Sequence, residues 1–274
     1  MGQQTMQLHA TRRVMRNVER ASVMCAGCGN GIVMSTTLQA MAAQGIPREQ
    51  VMLITGAGCN GALGDLFRFD WIHAPHGRVL PVAMGLKIVR PELHVLAFMG
   101  DGDCASIGGN HLIHAARRNI GVIAVVFNNL NYGRTGGQVA ATTPHGAIST
   151  TSPYGNAERP FDLCTLAQAS GATYVARWTA LTYPHLQRSL EKAFLRKGFS
   201  FIEVIIPCPT NYGRRELRTQ EPVDNLMWIA RNTITRERAA VLPRHRLEGK
   251  FVVGEFVEDD SVSEFSDELR RLHR

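Results

Sequence analysis

The chain has 274 residues, 45% of them hydrophobic and 19% charged, with 26 glycines, which suits one large α/β domain, alone or with an appendage. No run of 18 or more apolar residues occurs, so no segment predicts a membrane span, and the polar stretch from Met1 to Arg20 predicts no secretory signal. The net charge of +7 comes without the aromatic-interleaved stripe or zinc-finger spacing of a nucleic-acid binder, and fits a basic surface that meets an acidic protein or anionic substrates.

Residues 1–20 read as an N-terminal arm carrying Arg12, Arg13, Arg16 and Arg20. Cys25-Ala26-Gly27-Cys28-Gly29 then puts two thiols on one tight turn, where glycines free backbone N–H groups to point at sulfur. A helix is predicted over 31–43 and a strand over 51–55, and the strand runs into Gly56-Ala57-Gly58-Cys59-Asn60-Gly61. Pro75-His76-Gly77-Arg78 precedes a helix over 79–89. A strand over 95–99 ends in Gly100-Asp101-Gly102-Asp103, whose glycines let backbone approach a diphosphate. After a helix over 107–118 and a strand over 122–127 comes Asn128-Asn129, so the Gly-Asp-Gly turn and the Asn pair return to one sheet edge. Asp101 and Asn129 can each give an oxygen to Mg²⁺, with a backbone carbonyl near Asn131 as a third ligand. A nicotinamide fingerprint fits worse, because the third glycine is missing and an acidic residue stands between the first two.

Further elements are predicted over 163–169 and 183–197 (helices) and over 173–177 and 201–206 (strands). The alternation predicts an α/β fold, a mainly parallel sheet covered by helices on both faces, with ligands at the carboxyl ends of the strands. Pro207-Cys208-Pro209 follows the last of these strands. From 211 to 274 Arg and Glu become frequent and Gly thins out. This C-terminal extension can pack back on the domain or along another subunit. The six cysteines, 25, 28, 59, 104, 164 and 208, belong in a reducing, cytoplasmic setting as free thiols. Cys25, Cys28, Cys59 and Cys208 sit in turns and can hold Zn²⁺ or a [4Fe–4S] cluster, or the Cys-x-x-Cys pair can be a redox dithiol. Cys104 and Cys164 read as small buried residues.

The Gly-Asp-Gly and Asn-pair spacing resembles the thiamine-diphosphate motif of the transketolase and decarboxylase families. Taken with the cysteines, the chain more specifically resembles the β subunits of 2-oxoacid:ferredoxin oxidoreductases. Residues 25–31 are similar to their Cys-Pro-Gly-Cys-Gly-His/Asn-Gly signature, 56–61 to Gly-Ile-Gly-Cys-Ser-Gly and 75–78 to Thr-His-Gly-Arg. Segments 100–114, 128–138, 142–144, 150–155, 171–178 and 207–215 follow in that family's order. Ala26 stands for the usual Pro, Asn60 for Ser and Ala74-Pro75 for Thr-Thr.

The resemblance implies a thiamine-diphosphate and iron–sulfur domain over 21–210, with Cys25, Cys28, Cys59 and Cys208 on a [4Fe–4S] cluster and Asp101, Asn129 and Asn131 on Mg²⁺. It implies that Cys59, Asn60, His76, Gly77, Arg78, Gly100, Asp101, Gly102, Asp103, Asn129, Asn131, Tyr132, Gly133 and Thr135 surround thiamine diphosphate, with His76 steadying the diphosphate or assisting proton transfer. The activity implied is coenzyme-A-dependent oxidative decarboxylation of a 2-oxoacid, with a ferredoxin-type acceptor and an α subunit that supplies the cofactor-activating glutamate. Thr135-Gly136-Gly137-Gln138 and Asn211-Tyr212-Gly213-Arg214-Arg215 look most like the 2-oxoglutarate members, and Arg134 could meet a second substrate carboxylate. Pyruvate or a branched or aryl 2-oxoacid is the alternative substrate. A non-oxidative thiamine enzyme and a zinc-stabilised scaffold subunit are the alternative classes.

Overall fold

The computed structural model describes residues 14–16 and 24–273. The chain builds an eight-stranded sheet in the order β2-β1-β3-β4-β6-β5-β8-β7. In chain order these are β1 (Val51–Thr55), β2 (Asp70–His73), β3 (His94–Gly100), β4 (Val122–Asn128), β5 (Tyr174–Thr179), β6 (Ser200–Ile205), β7 (Thr233–Thr235) and β8 (Phe251–Glu258). Strands β1 to β6 are parallel; β8 runs antiparallel beside β5, and β7 pairs parallel with β8.

Every residue of β4 and β6 is buried, which is why both read in the sequence as largely apolar runs, interrupted in β6 by Glu203. Successive side chains go to opposite faces. On one face Val95, Ala97, Met99, Val122, Ala124 and Val126 pack under α2 (Val79–Val89), α3 (Gly109–Arg118) and α4 (Leu163–Ala169). On the other, Leu96, Phe98, Ile123, Val125 and Phe127 meet α1 (Asn30–Ala43) and α5 (Tyr183–Leu195). The doubly covered, mainly parallel sheet expected from the sequence is therefore present.

From β1 the chain moves outward to β2, then crosses to place β3 on the other side of β1 and grows onward to β4. The loops after β1 and β3 thus leave in opposite directions and open a crevice at the carboxyl ends of the strands. The helix expected over 107–118 begins only at Gly109. Gly102–Ile107 winds instead as a wider π-helical turn, a geometry frequent at functional sites. A second such turn, Pro209–Leu217, follows β6. Beyond it α6 (Pro222–Asn232), β7, α7 (Arg236–Ala240), β8 and α8 (Phe265–Leu272) lead back to the domain, where β8 extends the sheet.

Most of the expected N-terminal arm lies outside the described residues. Of it, Met15 bridges Phe67, and Arg16 N–H donates to the Leu66 carbonyl at 2.8 Å. Among the described residues no helix is long and apolar enough to cross a membrane.

Candidate active site

β3 ends at Gly100, and Asp101 follows with 2% of its surface exposed. Thr142 Oγ1 donates to Asp101 Oδ2 at 2.5 Å, which leaves Oδ1 facing Asn129. Burial pushes the Asp101 carboxyl up to about 7, against the bonds from Thr142 and the Gly102 N–H. With its amide nitrogen turned inward, Asn129 donates to Asp101 Oδ1 at 3.2 Å and to the Asn131 carbonyl at 2.6 Å. With its oxygen turned there, where it also accepts the Asn131 N–H at 3.3 Å, oxygens of Asp101, Asn129 and Asn131 converge, an arrangement that a cation satisfies. Neighbouring oxygens of an octahedral Mg²⁺ stand about 2.9 Å apart, so these separations suit that ion. Asn131 Oδ1 is also buried and without a partner, a further oxygen beside the same group.

Glycines shape the approach. A Cβ on Gly102 would enter the Tyr132 ring at 2.4 Å, so only glycine lets the turn lie against that ring. Behind it, His76 Nδ1 meets Asp103 Oδ1 at 2.5 Å, and the same oxygen accepts the Gly77 N–H at 2.6 Å. Burial raises the Asp103 carboxyl, while the Gly77 N–H and His76 pull it down. Asp103 Oδ2 is buried with no partner. Because a carboxylate only accepts, Nδ1 carries the proton in this pair and Nε2 stays free.

The four turn cysteines come together from three loops. Cys28 N–H donates to the Cys25 carbonyl at 3.1 Å, which closes the first turn. Burial pushes the Cys28 thiol up to about 12, against a backbone bond from Asn30, and Cys59, Cys208 and Cys25 raise it further. Burial pushes Cys59 up to about 11; Cys208 and Cys25 add to that, and Arg134 opposes it. Cys28 and Cys59 therefore each lie within electrostatic reach of the other turn cysteines. Among the described residues no three His, Cys, Asp or Glu side chains converge on a site for a single metal ion. A Cβ on Gly133 would stand 2.9 Å from the Asn129 amide and 3.6 Å from Cys208 Sγ, so Asn129 and Cys208 both border the space that Gly133 leaves open. Cys104 and Cys164 are both 1% exposed and sit in the core under α2 to α4, as expected.

The crevice encloses about 100 Å³. Cys59, Asn60, His76, Gly100, Asp101, Gly102, Asp103, Asn129, Asn131, Tyr132, Gly133 and Thr135 line it. Gly77 and Arg78 stand behind: Gly77 binds Asp103, and the exposed Arg78 guanidinium donates to the Gly77 carbonyl at 3.2 Å. Asn60 spends its amide nitrogen on the Phe98 carbonyl at 2.8 Å, which ties the Cys59 loop to β3. Asn30, Ala57, Gly58 and Phe127 also line the crevice and were not singled out from sequence; all four lie in or beside the motifs, so their proximity was the available signal. Arg134 lines it as well.

Comparison with known proteins shows what the chain is similar to. Residues 62–204 match the thiamine pyrophosphate enzyme C-terminal TPP-binding domain. The chain is 44% identical over 265 residues to the 2-oxoglutarate synthase subunit KorB of Methanocaldococcus jannaschii, covering 97% of each. It is 45% identical over 220 residues to the KorB subunit of Archaeoglobus fulgidus, covering 80% of each. Among solved structures it superposes on a chain of the 2-oxoglutarate:ferredoxin oxidoreductase from Magnetococcus marinus, solved with 2-oxoglutarate, coenzyme A and succinyl-CoA bound. That match has a TM-score of 0.84 and 26% identity, and covers 98% of this chain and 91% of that one.

Proposed function

The chain belongs to the family of 2-oxoacid:ferredoxin oxidoreductase β subunits, and on that premise we propose that it holds thiamine diphosphate, Mg²⁺ and a [4Fe–4S] cluster. The reaction is the coenzyme-A-dependent oxidative decarboxylation of 2-oxoglutarate to succinyl-CoA, with electrons leaving to a ferredoxin-type acceptor. When bound, thiamine supplies an electron sink for the decarboxylated fragment, and the cluster supplies one-electron steps. The observation that carries the reading is the approach of Asn129, beside the converging oxygens, and Cys208, one of the four turn thiols, to the same space at Gly133.

Each side chain then has a task. Asp101, Asn129 and the Asn131 carbonyl hold Mg²⁺, while Gly100 and Gly102 let the backbone come close to the diphosphate. Asp103 fixes the tautomer of His76, which keeps Nε2 available on the crevice side to hold or pass a proton. Cys25, Cys28, Cys59 and Cys208 take the cluster, and the loss of their protons is coupled to its binding. Arg134, close enough to Cys59 to act on its thiol, offers a guanidinium to the second carboxylate of 2-oxoglutarate.

The substitution Asp101→Ala tests this reading. It is expected to abolish Mg²⁺-dependent thiamine diphosphate binding while iron and acid-labile sulfide stay at wild-type content. Cys25→Ala is expected to lose the iron. Undiminished Mg²⁺-dependent binding in the first variant, or undiminished iron in the second, contradicts it.

A further inference from the structure

A buried polar chain runs from the middle of the sheet to the oxygens just described, and none of its charged members touches the crevice. Glu203 lies on β6, 2% exposed, in a strand whose every residue is buried. It is paired with Val126 of β4 on one side and with Arg177 of β5 on the other. Arg177 Nε donates to Glu203 Oε2 at 2.7 Å, and its far nitrogen reaches Asp162 Oδ1 at 2.6 Å. Glu203 Oε1 accepts Asn128 Nδ2 at 2.7 Å. Asn128 Oδ1 in turn accepts the Leu130 N–H at 3.0 Å.

The order of donors and acceptors leaves one orientation. Arginine only donates and carboxylate only accepts, so the Asn128 nitrogen must face Glu203 and its oxygen must face Leu130. Leu130 has a φ of +63°, in the left-handed region where the Cβ of a leucine crowds the backbone. Its N–H is held by Asn128 and its carbonyl by Thr143 Oγ1 at 2.7 Å. This reversal at Leu130 carries Asn131 back beside Asn129, so that the Asn131 carbonyl comes within 2.6 Å of the Asn129 amide. Burying an ion pair is a poor way to gain stability, since apolar residues of like volume do as well or better. Here the pair fixes an amide, and the amide fixes a turn.

We propose that Glu203, oriented by Arg177, is a positioning residue for the metal loop: acting through Asn128 and Leu130, it presents the Asn129 side chain and the Asn131 carbonyl to the cation. This rests on the reading of Asp101, Asn129 and Asn131 as Mg²⁺ ligands. Glu203 touches neither cofactor nor substrate, so its effect falls on Mg²⁺ affinity.

The experiment is equilibrium dialysis of thiamine diphosphate against the enzyme assembled with its α subunit, across a Mg²⁺ series, with melting temperature and iron content measured on the same samples. Glu203→Gln and, separately, Asn128→Ala are expected to raise the half-saturating Mg²⁺ concentration about tenfold, the effect of one lost hydrogen bond to a charged group. Both keep their iron. Asn128→Ala leaves the Arg177–Glu203 pair intact, so it reports even where Glu203→Gln folds poorly. The double variant Asn128→Asp with Glu203→Gln reverses the pair and keeps one negative charge near Arg177; it is expected to return most of the affinity. Asp162→Ala removes the outer ion pair and the cap that Asp162 Oδ1 gives the Thr165 N–H at the start of α4, and is expected to lower the melting temperature without moving the Mg²⁺ requirement. Wild-type Mg²⁺ requirements in both single variants, or a double variant no better than Glu203→Gln, overturn the inference. Asp101→Ala is run alongside: if it binds normally, the Mg²⁺ reading itself has failed, whereas a defect there with normal Glu203→Gln and Asn128→Ala sinks only the positioning role.

Discussion

At Gly56 an added Cβ would stand 1.8 Å from Asp103 Oδ2 and 2.8 Å from Val79 Cγ2, so the carboxylate that orients His76 occupies the space of the missing side chain. Gly56→Ala is expected to cost about 1–3 kcal/mol of stability, the range for forcing an extra methyl into a packed site. Denaturant unfolding against wild type measures it, and an unchanged midpoint contradicts the packing described. Asp101, Asn129 and the four turn cysteines could be picked out because short motifs mark them: glycines flank most, and prolines flank Cys208. Glu203 and Arg177 were not. Each is a lone charge in an apolar strand, and its meaning comes from partners on neighbouring strands, which no local pattern reveals. Asn131 lies between these cases. Its carbonyl was anticipated as a ligand, but its orphaned side-chain oxygen and the left-handed turn at Leu130 became visible only in three dimensions.

Among the elements, β1 and the buried strands β3 to β6 were readable to within a residue or two, because strands covered on both faces need continuous apolar side chains. β2 was missed. Asp70-Trp71-Ile72-His73 is a mostly exposed edge and has no such run. β8 was missed as well, since it lies in the Arg- and Glu-rich extension and its place depends on a partner, β5. Polar bonds help hold it there. Tyr174 Oη donates to Glu255 Oε1 at 2.7 Å, and Lys192 Nζ donates to Glu255 Oε2 at 2.9 Å.

Burial alone would raise the Glu255 carboxyl, but Lys192 and Tyr174 outweigh it and hold it below the ordinary 4.5. A depressed folded-state value means that the native state binds fewer protons than the unfolded chain. Its contribution is therefore complete above the unfolded value and is lost as pH falls through the folded one. Glu255→Gln is accordingly expected to melt below wild type at neutral pH, with the gap closing once the pH drops well under 4.5. Melting curves over that range check the sign; a gap that widens in acid contradicts it.

At the scale of the whole molecule the crevice is small. A crevice of about 100 Å³ falls short of the roughly 300 Å³ and more of a closed small-molecule pocket, so a cofactor anchored by its diphosphate must lean on something else. Among the described residues no glutamate lines the crevice, and thiamine chemistry calls for one at the aminopyrimidine. The chain purified alone is expected to oxidise no 2-oxoacid, and addition of the α subunit is expected to bring activity with 2-oxoglutarate, coenzyme A and a viologen dye. Turnover by the isolated chain contradicts this division of labour.

On the proposed reading a sulfur-held redox centre and a magnesium-anchored cofactor lie close together beside Gly133. Electron paramagnetic resonance of the dithionite-reduced chain, assembled with its α subunit and loaded with thiamine diphosphate and either Mg²⁺ or paramagnetic Mn²⁺, tests this most directly. The expected result is an iron–sulfur signal that relaxes faster with Mn²⁺ than with Mg²⁺. A chain without such a signal, or a signal indifferent to the choice of cation, would contradict the account.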